Sequence, residues 1–103
     1  MEIIWSEKAY KRWEEIADYI FHQYGVHAVI RFKTNIEEWE DSLLQSPLIG
    51  KLEPLLRHRT ISYRSIVVNK LNKLIYYIDN DRIIIADLWD TRREPKTQAK
   101  STK

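Results

Sequence analysis

The stretch Tyr63–Pro95, YRSIVVNKLNKLIYYIDNDRIIIADLWDTRREP, decides the fold. It holds three strand-like runs separated by short polar turns. Tyr63–Val68 sets Arg64, Ile66 and Val68 against Ser65 and Val67, and Lys73–Ile78 sets Lys73, Ile75 and Tyr77 against Leu74, Tyr76 and Ile78. A period of two is the mark of a strand with two distinct faces. Arg82–Trp89 is apolar on both faces in its middle, as a central strand covered on both sides would be. Asn69–Asn72 and Asp79-Asn80-Asp81 are turns, rich in residues that tolerate left-handed backbone angles. The block predicts a small antiparallel meander. Arginines and lysines open its first two runs and close its third, so the meander carries a cationic surface.

Upstream, the period changes from two to about 3.6. Residues 2–5 form a short strand candidate with Ile3 and Trp5 on one face. Ser6 is placed as an N-cap and Glu7 sits in the first helical turn, where a carboxylate is favourable. Ala9, Trp13, Ile16, Ala17, Ile20 and Tyr24 then recur at spacings of three and four, which predicts an amphipathic helix closed by Gly25. Val29, Phe32, Ile36, Trp39 and Leu43 make the stripe of a second helix, with Glu37, Glu38, Glu40 and Asp41 on its other side. Ser46-Pro47 ends it, because the residue before proline avoids helical angles. Residues 47–62 read as a basic connector with Lys51, Arg57, His58 and Arg59, and residues 96–103 as a polar, flexible C-terminal tail. The expected class is α+β in the order β-α-α-β-β-β, one domain over residues 1–95. A helical hairpin lays its apolar stripe on one face of a twisted, mostly antiparallel sheet, and the other face or its rim stays free for function.

Composition narrows the function classes. With 103 residues, 44% hydrophobic and 31% charged, the chain has the balance of a single globular domain rather than of a disordered segment. No apolar run approaches the roughly 18 residues of a membrane span, and the N-terminus lacks the pattern of a signal peptide, so the cytoplasm is the expected location. There is no cysteine, which removes disulfides and thiolate metal sites. His22, His27 and His58 show no metal-ligand spacing, and no metal or other cofactor is expected. The net charge is +2 but unevenly spread: residues 1–50 hold five Lys/Arg against nine Asp/Glu, residues 51–103 twelve against six. The second half therefore suits an anionic partner.

The residues as a whole resemble the RelE/ParE superfamily, the toxins of type II toxin–antitoxin (plasmid stabilisation) modules. The resemblance is carried by IIWSEKA at the start, an Ile-Ala-Asp-Tyr-Ile helix, SPLIG (Ser46–Gly50), YRSIVV, KLIYYI, and the final strand leading into TRREP. It implies a growth-inhibiting toxin bound and neutralised by a cognate antitoxin, usually acidic. RelE-like members cut mRNA on the ribosome, whereas ParE-like members poison DNA gyrase and have no known nuclease constellation. The places where RelE-like members carry cations are filled here by Arg64, Lys73 and Arg92, with Arg93 beside the last. Three occupied places tilt the expectation towards a ribosome-dependent mRNA endonuclease. The tyrosine or histidine that many such members carry near the C-terminus has no counterpart after Tyr77, which the gyrase reading explains better. From a different class, a non-catalytic binding module or a decayed toxin has the same pattern.

RNA cleavage by attack of the 2′-hydroxyl needs a base, charge at the phosphorane-like transition state, and an acid for the leaving oxygen. Guanidinium groups suit the middle role, and a lysine crowded by cations can move a proton. Arg64, Lys73 and Arg92 are accordingly the candidate catalytic residues. Lys51, Arg57, Arg59, Arg93 and Trp89 are candidate contacts to RNA or another target, with Trp89 able to stack on a base. Plainer roles compete at each place. Arg64 can pair with Asp87 or Asp90 across the sheet, Lys73 can be an ordinary edge lysine, Arg92 and Arg93 a solvated rim, and Trp89 core.

Overall fold

The structure is a computed structural model and describes residues 1–92 and 95–102. Strand β1 (Glu2–Trp5) leads into helix α1 (Glu7–Tyr24), and helix α2 (Val26–Gln45) follows directly. A two-residue strand β2 (Lys51–Leu52) and a single 3₁₀ turn (Pro54–Leu56) occupy the connector. Strands β3 (Arg64–Asn69), β4 (Asn72–Asp79) and β5 (Arg82–Asp90) form the meander, and helix α3 (Pro95–Ser101) ends the described chain. The sheet order is β1-β5-β4-β3-β2, with β1 parallel to β5 and every other pair antiparallel. The fold is α+β, as the sequence pattern predicts, with β2, the 3₁₀ turn and α3 added to it.

Local chemistry explains the joints. Ser6 accepts the Ala9 N–H at 3.0 Å, a cap of the kind that contributes about 1 kcal/mol. Its hydroxyl donates to the Ala86 carbonyl at 3.1 Å and its N–H to Ile85 at 2.9 Å. Ala86 is the extra residue of a bulge in β5, since Ile75 pairs with Asp87 but Tyr76 with Ile85. The carbonyl of this bulge residue anchors the start of α1 through Ser6. Gly25 alone joins the two helices at φ +90°, a conformation that side chains rarely adopt. Asn80 takes φ 58° in the β4–β5 turn, and the Asn69 side chain accepts the Leu71 N–H at 2.8 Å to tighten the β3–β4 turn.

Two cores sandwich the sheet. The hairpin face joins Ala9, Phe32, Ile36 and Leu43 to Ile66, Leu74, Tyr76, Ile83, Ile85 and Leu88. The opposite face holds Leu56, Tyr63, Ile75, Ala86, Trp89 and Ala99. The second core corrects one expectation. The face opposite the hairpin is not free, because the 3₁₀ turn and α3 cover it. Within the expected tail, Gln98, Ala99 and Thr102 are buried, while Lys103 lies outside the described residues. The Gln98 amide accepts the Asp90 N–H and donates to the Asp90 carbonyl, both at 2.8 Å, and so caps the part of the β5 edge that β1 leaves uncovered.

Candidate functional site

The register of the meander determines which cations can act together. Asn69 pairs with Asn72 across the β3–β4 turn, and continued evenly that pairing would put Arg64 and Lys73 on one face. A one-residue irregularity at Val68 intervenes, so Lys73 pairs with Val67 and Arg64 with Tyr76. A slip of one residue exchanges the faces of everything beyond it. Arg64 therefore shares the hairpin face with Ile66 and Tyr76, and Lys73 shares the opposite face with Ile75 and Trp89.

On the hairpin face, Arg64 Nη1 donates to the Gly50 carbonyl at 2.7 Å. The Tyr76 hydroxyl ties down the same loop, donating to the Pro47 carbonyl at 2.7 Å and accepting the Gly50 N–H at 2.9 Å. Burial pushes the Tyr76 phenol above its ordinary range, so it stays neutral. Arg64 also lines an open hollow with Leu48, Ile61, Tyr77 and Asp79. The alternative partners Asp87 and Asp90 are engaged elsewhere.

On the opposite face, Lys73 Nζ lies 2.8 Å from Glu53 Oε1 and 5.5 Å from the centre of the Trp89 ring. Glu53 is 1% exposed, and it also accepts the Ser65 hydroxyl at 2.8 Å and the Leu55 N–H at 3.0 Å. Burial raises its pKa, but the Lys73, Leu55 and Ser65 hydrogen bonds outweigh that and hold the carboxyl below its ordinary range. A phosphate at Lys73 would have to displace this carboxylate. Trp89 is 2% exposed and donates to Thr102 Oγ1 at 3.1 Å, so it is a core residue and not an open stacking platform.

Arg92 sits at the far end of the sheet. It pairs with Asp90 at 3.1 Å and lies 5.3 Å over the Tyr19 ring of α1, and Asp90 followed by Tyr19 hold it still more firmly in the charged form. The Asn72–Asp90 pair is four β4 residues from the Arg64–Tyr76 pair, roughly 13 Å along the strand. Arg64, Lys73 and Arg92 thus occupy different places. Asp90 is engaged by Arg92, and Arg93 lies outside the described residues.

Of the remaining candidates, Lys51 and Arg57 are exposed. Arg59 donates Nη1 to the Thr102 carbonyl at 2.7 Å and Nη2 to the Ala99 carbonyl at 2.8 Å, capping α3 with its fork. Arg59→Ala is expected to free α3, lower stability by about 1–3 kcal/mol and red-shift Trp89 fluorescence, read by denaturation with fluorescence detection. An unshifted midpoint and spectrum would remove the clamp. Among the described residues no group of three or more His, Asp or Glu is placed to hold a metal ion, and no helix is long and apolar enough to cross a membrane.

The model of the "ParE toxin of type II toxin-antitoxin system, parDE" matches residues 3–95. The chain belongs to the ParE toxin family. It is thereby a RelE/ParE-type toxin of type II toxin–antitoxin systems. Among solved structures, this ParE-family chain is similar to the chromosomal ParDE toxin–antitoxin system of P. aeruginosa, with 18% identity and a TM-score of 0.70 over 87% of this chain and 95% of that one. It is also similar to the YoeB dimer of Staphylococcus aureus, with 26% identity and a TM-score of 0.58 over 84% and 92%. No curated protein sequence matches it.

The sequence reading missed Glu53 and Gly50, on which this ParE-family toxin builds both sides of the candidate site. One signal was present. Glu53-Pro54 is a capping acceptor followed by proline at the first helical position, the pattern of a helix start.

Proposed function

We propose that this ParE-family toxin arrests growth by poisoning DNA gyrase without cutting RNA, and that a cognate antitoxin neutralises it. The observation that carries the reading is the dispersal of the three cations. Arg64 lies on the hairpin face, Lys73 is locked to Glu53 on the other, and Arg92 is held by Asp90 and Tyr19 at the far end. Charge stabilisation of a single phosphorane needs cations aimed at one point, and these are not. Protein binding needs no such convergence. The ParE family match favours the same side of the choice, and the similar P. aeruginosa structure is of a chromosomal ParDE toxin–antitoxin system. The exposed Lys51 and Arg57 suit an acidic antitoxin segment.

Induced expression in a bacterial host, with pulse labelling of DNA and protein, tests this. DNA synthesis should fail first, with a DNA-damage response while translation continues, and co-expressed antitoxin should restore growth. Early collapse of translation with cleaved mRNA would favour the nuclease. Normal growth would favour a non-catalytic module.

A further inference from the structure

We propose that the hollow between β1, α1 and α2 is a socket for one basic side chain, arginine or lysine, presented by a segment of a partner protein. The hollow has a volume of about 300 Å³. Trp5 of β1, Tyr10 and Trp13 of α1, and Glu37 and Glu40 of α2 line it, over the buried Ile36. The rings are held in place: Trp13 stacks between Tyr10 and Phe32, at centroid distances of 6.5 and 6.2 Å. The Trp5 indole N–H donates to Glu40 Oε2 at 3.0 Å, which fixes that carboxylate beside the rings.

Three features select a cation. The face of an aromatic ring is negative and attracts ammonium or guanidinium, most strongly in tryptophan. Two carboxylates reinforce that field, and Glu37 has no side-chain partner among the described residues. Lys33 is the one cation lining the hollow, yet among the described residues it makes neither an ion pair nor a ring contact, so the socket is not filled from within. Around the hollow, α2 carries Glu37, Glu38, Glu40 and Asp41, which disfavours an acidic occupant. An acidic antitoxin segment fits the basic connector, and a basic partner fits here. The two surfaces are complementary to partners of opposite charge, and the socket is independent of how growth is arrested.

The test uses the full chain, ¹⁵N-labelled, and an acetylated, amidated Gly-Gly-Arg-Gly-Gly peptide. The indole signals of Trp5 and Trp13 should shift saturably in the millimolar range, with Trp89 unmoved, and the shift should weaken as salt is added. Glu37→Gln and Tyr10→Leu change exposed positions that leave the fold intact, and each should weaken binding about three- to tenfold. Equal binding of the peptide with norleucine or glutamate in place of arginine would overturn the proposal. So would undiminished binding by both variants, shifts spread to Trp89, or no shift at tens of millimolar peptide.

Discussion

Replacing Glu53 by alanine should lower the stability of the fold by about 3–5 kcal/mol, because it leaves Lys73 without its buried counter-charge. The loss is large against the roughly 5–15 kcal/mol by which such domains are stable. Glu53 joins three pieces of chain that are distant in sequence: its own 3₁₀ turn through Leu55, β3 through Ser65 and β4 through Lys73. Removal therefore loosens the cover over Ile75 and Trp89 as well as stranding a cation. The melting temperature should fall by more than about 12 °C, given roughly 4–8 °C per kcal/mol for a domain of this size. Glu53→Ala combined with Lys73→Met should recover much of the loss, since an apolar pair can replace a buried ion pair.

Acid should have a related effect. The folded pKa of Glu53 is depressed below its ordinary value of 4.5. Its contribution is therefore fully present above about pH 4.5 and is lost as pH falls through the lower folded value. Wild-type stability should drop in that window, and the Glu53→Ala variant should lose less there. Denaturation midpoints from pH 7 to pH 3 give the comparison, and parallel curves for the two proteins would contradict it.

Gly50→Ala should be nearly as damaging, at about 2–4 kcal/mol. A Cβ at position 50 would sit 2.7 Å from Tyr76 Cε1, 2.8 Å from its hydroxyl oxygen and 3.0 Å from the Ser65 carbonyl oxygen. None of these can yield cheaply. Tyr76 is fully buried in the hairpin-side core, and Ser65 is held in β3. Overpacking of this kind costs about 1–3 kcal/mol. Displacing the ring also breaks the Tyr76 bonds to Pro47 and Gly50, at about 0.5–1.5 kcal/mol each. The Arg64 contact to the Gly50 carbonyl would move with the loop. A melting temperature within about 3 °C of wild type would show that the close approach of Gly50 to Tyr76 is not a constraint.

Local pattern made most of the fold legible. Ser6, Gly25 and Pro47 punctuate the helices where they stand in the structure, and the period-two runs give β3 and β4 to within one residue at each end. What was not legible depends on contacts between distant residues. Ala99 is the only apolar side chain in 96–103, so nothing local announces that Gln98 and Thr102 bond to Arg59, Asp87, Trp89 and Asp90. Glu53 looks like one more charge in a polar connector until the chain folds it beneath Lys73.

The candidate site failed to converge for a smaller reason. Arg64, Lys73 and Arg92 are the cations to which the resemblance points, but one extra residue at Val68 exchanges the faces of Arg64 and Lys73. No periodicity in the sequence announces that bulge. Strand alternation within each run was readable, whereas the register between runs was not.

The gyrase reading meets its most direct test with purified protein, gyrase, ATP and plasmid DNA, alongside ribosome-bound mRNA under the same conditions. The expected result is loss of supercoiling or accumulation of gyrase-linked breaks, with the mRNA intact. Cleaved mRNA and unaffected gyrase would contradict it.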